Sequence, residues 1–274
     1  MSSKLSLTLL KGSWALVTGA SAGIGREFCG QLAEAGVNIA MVARSQAKLQ
    51  SLGKDLQAAH GVDFLAIGAD LGQPGCVDVV MEQLHGAGIR VRLLINNAAF
   101  GRWGAFCGEG GLRQDLAMYE SMLTLNMVTP TLLCRALHAD LRATAPSGVI
   151  NVSSAAVFQP VPYMAAYAAS KAALHSLSLA LSEEWRENGI LVQTLLPAPT
   201  ESGFDARAGA YESELGSHRD PPSVAVKRSL EALESGEVMV STAPGIYKQR
   251  FFGALFPPKY VVAKVAEMFH PKSP

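Results

Sequence analysis

The chain of 274 residues predicts an α/β fold, a doubly wound parallel sheet of seven strands with helices on both faces. Two observations predict it. Seven short apolar runs alternate with longer helical patterns along most of the length. Most of these runs are apolar throughout rather than at every second residue, which is how strands covered on both faces read. A glycine-rich segment also follows the first run directly and opens a helix, giving a turn through which backbone can approach an anion.

The strand runs are "WALVTG", "NIAMVA", "DFLAIGAD", "RLLINNAA", "GVINVSS", "LVQTLLP" and "EVMVS". Between the first two, Ile24, Phe28, Leu32 and Ala35 recur at helical spacing, and Gly36 ends the helix. Met118, Met122 and Met127 stand near helical spacing and are expected in the core. The interval 200–223, rich in glycine, serine and charge, is long for a strand-to-helix connection and is expected to act as a lid. Strand material follows it, so residues 1–274 are read as one domain, with an N-terminal extension over 1–11 and a C-terminal extension over 246–274.

Composition excludes several classes. Lys plus Arg equals Asp plus Glu at 23 each, with no basic excess for a nucleic acid. Cys29, Cys76, Cys107 and Cys134 are scattered, form no metal-ligand spacing and read as reduced thiols. The six histidines show no HExxH, and no GxSxG nucleophile elbow is present, so neither a metal site nor a serine hydrolase is expected. No run is long and apolar enough for a spanning helix, and the N-terminus is too polar for a signal peptide. A cytoplasmic protein is expected.

The segment "TGASAGIG" at 18–25 places Gly19, Gly23 and Gly25 between the first strand and a helix N-terminus, where a pyrophosphate can sit. The second strand ends in Ala43 and Arg44, with no carboxylate to hold a ribose 2′-hydroxyl. A guanidinium grips a 2′-phosphate that a carboxylate would repel, so NADP(H) is expected over NAD(H), with Ser45 adding a hydroxyl.

"YMAAYAASKAAL" at 163–174 carries Tyr163, Tyr167 and Lys171 at intervals of four. At about 3.6 residues per turn, one helix would show them as a single polar stripe. A free phenol titrates near 10, too high for an efficient base, and a lysine one turn away is expected to lower it.

Together these motifs resemble the short-chain dehydrogenase/reductase family. "TGASAGIG" matches its TGxxxGxG loop, "NNAA" at 96–99 its NNAG motif, and Tyr167 with Lys171 its YxxxK, over roughly residues 12–245. Ala99 and Ala198 stand where the family pattern has glycine. The resemblance implies a Rossmann-like fold and a catalytic set of Asn126, Ser154, Tyr167 and Lys171. Ser154 would hold the substrate oxygen, and Asn126 would anchor a water linking Lys171 to solvent. For the cofactor it implies the loop residues Gly19, Ser21, Gly23, Ile24 and Gly25, then Arg44 and Ser45. Asp70 and Leu71 would face the adenine, Asn97 and Ala98 its ribose, Lys171 the nicotinamide ribose, and Thr200 the carboxamide, with Tyr167 also among the cofactor-binding residues.

The expected activity is hydride transfer from NADPH to a hydrophobic ketone or aldehyde, in a pocket drawn from Phe100, Trp103, Gln159, Tyr163 and Phe204. Oxidation of a secondary alcohol is the same chemistry reversed, and a catalytically silent cofactor-binding scaffold is the alternative of another class. Alanines and serines between Leu174, Leu177 and Leu181 leave a face that another helix can approach closely. Relatives in the family pair such helices, so a homodimer or a tetramer of dimers is expected.

Overall fold

From Trp14 onward, strand and helix alternate as the apolar runs require. The structure, a computed structural model, describes residues 4–107, 112–209 and 219–270. A short helix α1 (Leu7–Leu10) precedes β1 (Trp14–Thr18), α2 (Gly23–Glu34), β2 (Asn38–Ala43), α3 (Gln46–His60) and β3 (Phe64–Gly68). Then come α4 (Cys76–Gly86), β4 (Val91–Asn96), α5 (Leu112–Leu123), a π-helical turn (Thr124–Val128) and α6 (Thr129–Ala143). The second half holds β5 (Ser147–Val152), α7 (Ala165–Glu184), β6 (Ile190–Leu196), α8 (Phe204–Ala208) and α9 (Pro222–Ser235). It closes with β7 (Met239–Ser241), α10 (Ile246–Leu255) and α11 (Pro258–Phe269).

The sheet has seven strands, all parallel, in the order β3-β2-β1-β4-β5-β6-β7. Successive strand residues feed opposite faces. On one face Val17, Ile39, Met41, Leu93 and Ile95 pack under Phe28, Leu32, Leu49 and Leu230 of α2, α3 and α9. On the other, Leu16, Val42, Leu94 and Val192 meet Val80, Leu84, Leu133 and Leu137 of α4 and α6. Burial on both sides is the reason the strands read as apolar runs.

The N-terminal extension is docked: Leu5 and Leu10 are buried, and Leu5 N–H donates to the Leu233 carbonyl at 3.1 Å. Of the three methionines expected inside, Met122 is buried, whereas Met127 is 42% exposed. Met127 lies in the π-helical turn, whose wider winding breaks the 3.6-residue phase on which that expectation rested.

Candidate active site

The strand order reverses between β1 and β4, and at such a switch point the loops from the carboxyl ends part to leave a crevice. Thr18, the last residue of β1, ties its rim together. Its hydroxyl donates to the Ile95 carbonyl at 3.2 Å and accepts from the backbone N–H groups of Asn97 and Ala98 at 2.9 and 3.0 Å. The Asn97 side-chain amide donates to the Thr18 carbonyl at 2.9 Å.

The loop glycines do different work. A Cβ on Gly19 would stand 2.8 Å from Asn97 Nδ2, and Gly19 itself takes φ 67. A Cβ on Gly25 would also run into Asn97 and into the Gly19 carbonyl, so Gly25 serves close packing of helix on loop. Gly23 takes φ 52 and faces Ser202, on the segment after β6, at 2.7 Å from where its Cβ would be. Ala99 and Ala198 do not need glycine's freedom. Among the described residues Tyr163 is the only non-glycine with positive φ.

This cradle fits an anionic dinucleotide. The α2 cap is Ala22, which supplies no side-chain acceptor, and the first helix turn holds no acidic residue. The first backbone bond closes from Arg26 N–H to the Ala22 carbonyl, so the amides of 23–25 precede it and have no partner within the helix. Ser21 and Ile24 are half-buried on either side. Arg44 is exposed at the end of β2, and Ser45 caps α3 without spending its hydroxyl on the helix. Asp70 is exposed just after β3, where one carboxylate oxygen accepts from Gly72 N–H at 3.0 Å. The Leu71 side chain is in the core, which leaves only its backbone to the crevice. Thr200, half-buried beyond β6, donates its hydroxyl to the Ala198 carbonyl at 2.7 Å.

Tyr167 and Lys171 lie one turn apart on α7. Tyr163 does not share their stripe, because α7 begins at Ala165. Val161–Met164 forms a turn instead, closed by Met164 N–H to the Val161 carbonyl at 3.2 Å. Pro162 takes its second place and Tyr163, at φ 65, its third, the pattern of a type II turn. A left-handed tyrosine costs about 1–2 kcal/mol, so the surrounding contacts hold it there.

The Tyr167 hydroxyl faces the Ser154 hydroxyl, which itself accepts from Ala156 N–H at 3.2 Å. Burial pushes the phenol up to about 12, the Ser154 hydroxyl opposes this, and the nearby Asp205 carboxylate adds to it. Burial also lowers the Lys171 amine to about 7. The expectation that Lys171 lowers the tyrosine therefore needs correcting: Lys171 is 2% exposed, its Nζ donates to the Val152 carbonyl at 2.8 Å, and desolvation governs both groups. Ser153 turns the other way and donates to the Lys171 carbonyl at 2.8 Å, leaving Ser154 to face Tyr167.

Asn126 is fully buried in the π-helical turn. Its amide nitrogen donates to the Phe100 carbonyl at 2.9 Å and to the Ser170 hydroxyl at 3.1 Å. Its amide oxygen accepts from Phe100 N–H at 3.2 Å. Asn126 thus clasps both backbone groups of Phe100, and Ser170 passes the link to the Tyr167 carbonyl at 2.7 Å.

The substrate side is apolar. Phe204 lies with its ring centroid 5.2 Å from that of Tyr167, and a Cβ on Gly101 would stand 2.7 Å from Phe204 and 3.2 Å from Tyr167. Gln159 is half-buried beyond the turn that Ser154 caps. Trp103 is buried with Val161, Met164 and Val265, and its indole N–H donates to the Phe269 carbonyl at 2.8 Å. A cavity lined by Arg102, Tyr119, Met122, Tyr163 and Tyr167 continues the crevice, with Arg102 paired to Asp115 at 2.8 Å.

The matching family model, that of the short chain dehydrogenases, spans residues 13–212. The chain belongs to the short chain dehydrogenase family. The family is one of oxidoreductases using nicotinamide cofactors. A short chain dehydrogenase of Pseudocercospora fijiensis is 31% identical, the match covering 77% of this chain and 63% of that protein. A very-long-chain 3-oxoacyl-CoA reductase of Pyricularia oryzae is 35% identical over 68% of this chain and 56% of its own. The chain spans about three fifths of the length of the curated relatives it matches.

Among solved structures, a short-chain dehydrogenase from Sphingobium yanoikuyae in complex with NADPH superposes with TM-score 0.77 at 28% identity, over 89% of this chain and 93% of that one. The bulky-bulky ketone specific alcohol dehydrogenase of Comamonas testosteroni gives 0.73 at 28% identity, over 95% of each chain.

For this short chain dehydrogenase, sequence reading missed three features around the crevice. The clasp of Asn126 on Phe100 depends on a π-helical turn, which leaves no periodic mark. Ser170 is one more serine in a helix of small residues. The return of α11 onto Trp103 and Tyr163 joins residues far apart in sequence, though the apolar stripe Val261, Val265, Phe269 hinted at a packed face.

Proposed function

We propose that this short chain dehydrogenase reduces a hydrophobic ketone or aldehyde to the alcohol with NADPH. The observation that carries the reading is the hydroxyl pair of Tyr167 and Ser154 beneath Phe204, with Lys171 one turn away. A phenol held up to about 12 keeps its proton at neutral pH, as the acid for carbonyl reduction must. Ser154 holds the substrate oxygen, and Tyr167 Oη delivers the proton to it. When bound, the nicotinamide supplies the hydride.

The residues that would hold NADPH are the loop from Gly19 to Gly25 with Ser21 and Ile24, and Arg44 with Ser45 for the 2′-phosphate. Asp70 and the Leu71 backbone would serve the adenine, Asn97 and Ala98 its ribose, Lys171 the other ribose, and Thr200 the carboxamide. Asn126 fixes the Phe100 loop that walls the pocket. The ring of Phe204 and the strained Tyr163 exclude water and favour a bulky apolar carbonyl. NADPH consumption across a panel of hydrophobic ketones and aldehydes tests the reading. Turnover by the native chain that falls by on the order of 10² to 10⁴ in Tyr167→Phe supports it; no turnover of any carbonyl, with cofactor bound, would sink it.

A further inference from the structure

We infer that α10 and α11 form a docking surface for an anionic lipid bilayer, which the protein would touch without crossing. On α10, Tyr247, Phe251 and Leu255 recur every four residues and are 63%, 63% and 64% exposed. On α11, Tyr260 and Met268 are 55% and 68% exposed, with Lys264 at the matching place between them. Phe256, 42% exposed, joins the two helices and packs on Tyr260 with ring centroids 5.7 Å apart. The inner stripe of α11, Val261, Val265 and Phe269, is spent on the cluster around Trp103. The outward rows are therefore a second apolar face, distinct from the one that folds the helix.

Charge decides the occupant. Residues 246–269 hold four basic side chains, Lys248, Arg250, Lys259 and Lys264, against the single acidic Glu267, in a chain whose total charge is zero. Aromatic and aliphatic side chains beside lysines that can extend to headgroups are the composition of an interfacial helix. A second copy of the chain has a better-matched place elsewhere. Leu116, Met127, Val128, Leu132 and Leu179 are exposed on α5, the π-helical turn, α6 and α7, where residues 112–143 carry three basic and three acidic side chains. None of the described helices is long and apolar enough to cross a membrane, so contact would be with one leaflet.

The placement has a consequence for access. α11 ends on the Trp103 indole and the Tyr163 ring, with Phe269 and His270, and α10 sets Arg250 over the Phe158 ring at 5.7 Å. A bilayer on the outer face would stand beside the apolar side of the crevice, where a carbonyl compound dissolved in lipid can enter.

Sedimentation of the full-length protein with vesicles tests this without any turnover. Vesicles of equimolar phosphatidylcholine and phosphatidylglycerol should carry the protein down, and phosphatidylcholine alone should carry several-fold less. Each basic residue near an anionic surface is worth roughly a fivefold gain in binding, so Lys248→Glu with Lys259→Glu should release the protein at least tenfold. Leu255→Glu should do the same with the activity on a water-soluble carbonyl unchanged. The inference is overturned by equal binding to both vesicles, by no binding to either, or by Leu255→Glu splitting an oligomer in light scattering. The last outcome would assign the face to a second copy.

Discussion

Lys171 Nζ lies 2.8 Å from the carbonyl oxygen of Val152, the last residue of β5, and is almost wholly buried there. This places a lysine whose amine burial has lowered to about 7 beneath a tyrosine that burial has raised to about 12. The two shifts have one cause, and each favours the uncharged form.

Stability should therefore depend on pH through Lys171. Its folded pKa, about 7, lies below the unfolded value of 10.5. The burial cost is fully present below pH 7, diminishes as pH rises, and is gone above the unfolded value. At about 1.4 kcal/mol per tenfold of proton affinity the cost is on the order of 4–5 kcal/mol, from which the lost bond to Val152 subtracts about 1 kcal/mol. Lys171→Met should raise the melting temperature of the cofactor-free protein near neutrality, and the gain should shrink toward about pH 10. A gain that does not change with pH would show that the lysine charge is not what burial opposes.

Tyr167→Phe removes the proton donor and leaves the ring that packs on Phe204. Carbonyl reduction should fall by on the order of 10² to 10⁴, the range for a positioned acid. NADPH affinity, read by fluorescence, should change little. Loss of affinity equal to the loss of rate would make Tyr167 a binding residue only.

The strands were legible because each must be covered on both faces, so their apolar runs coincide with β1–β7 to within a residue or two at most ends. The crevice was legible through the glycine loop and through Tyr167 and Lys171, since spacing within one element survives folding. Tyr163 was misplaced because the proline before it forms a turn, which local sequence outranked by helical spacing conceals. The phenol's direction of shift was misjudged for a different reason: spacing reports that a lysine is near, but not that desolvation governs both groups.

Cofactor choice rests on Arg44, exposed at the end of β2 with no carboxylate beside it in sequence. NADPH should bind at least tenfold tighter than NADH, about 1.4 kcal/mol, which is modest for a charge-assisted phosphate contact. Arg44→Asp should reverse the order. Fluorescence titration of both cofactors decides it, and equal affinities in the native chain would remove the role given to Arg44.

Assembly should use the face of α7 that shows Ala165, Ala169, Ser176 and Ala180 to solvent, since Leu174 is turned into the chain's own core. Beside it, Leu132 of α6 is 49% exposed and Leu179 of α7 is 36% exposed. Small residues let helices approach closely, and the flanking leucines supply apolar area. A homodimer or tetramer is expected by light scattering at micromolar concentration, and Leu132→Asp should yield monomers. A native chain that is already monomeric would contradict it.

The segment after β6 should behave as a lid. It passes from Thr200 to Ser202, which lies against Gly23 of the phosphate loop, and then to Phe204 on the Tyr167 ring. It therefore touches both halves of the crevice, and Gly203 and Gly209, at φ 66 and 76, bracket the short helix α8. Glycines in that conformation let the helix swing at little cost in backbone energy. Tyr211 and Gly216, also expected in the lid, lie outside the described residues. NADPH bound at the loop has to meet Ser202, and an apolar carbonyl has to meet Phe204, so the two together should hold the segment more firmly than either alone. Hydrogen exchange at the amides of residues 201–209 should slow when NADPH and a substrate analogue are both present, beyond the effect of NADPH by itself. If the amides of 23–25 become protected while those of 201–209 exchange as before, the segment is a passive loop.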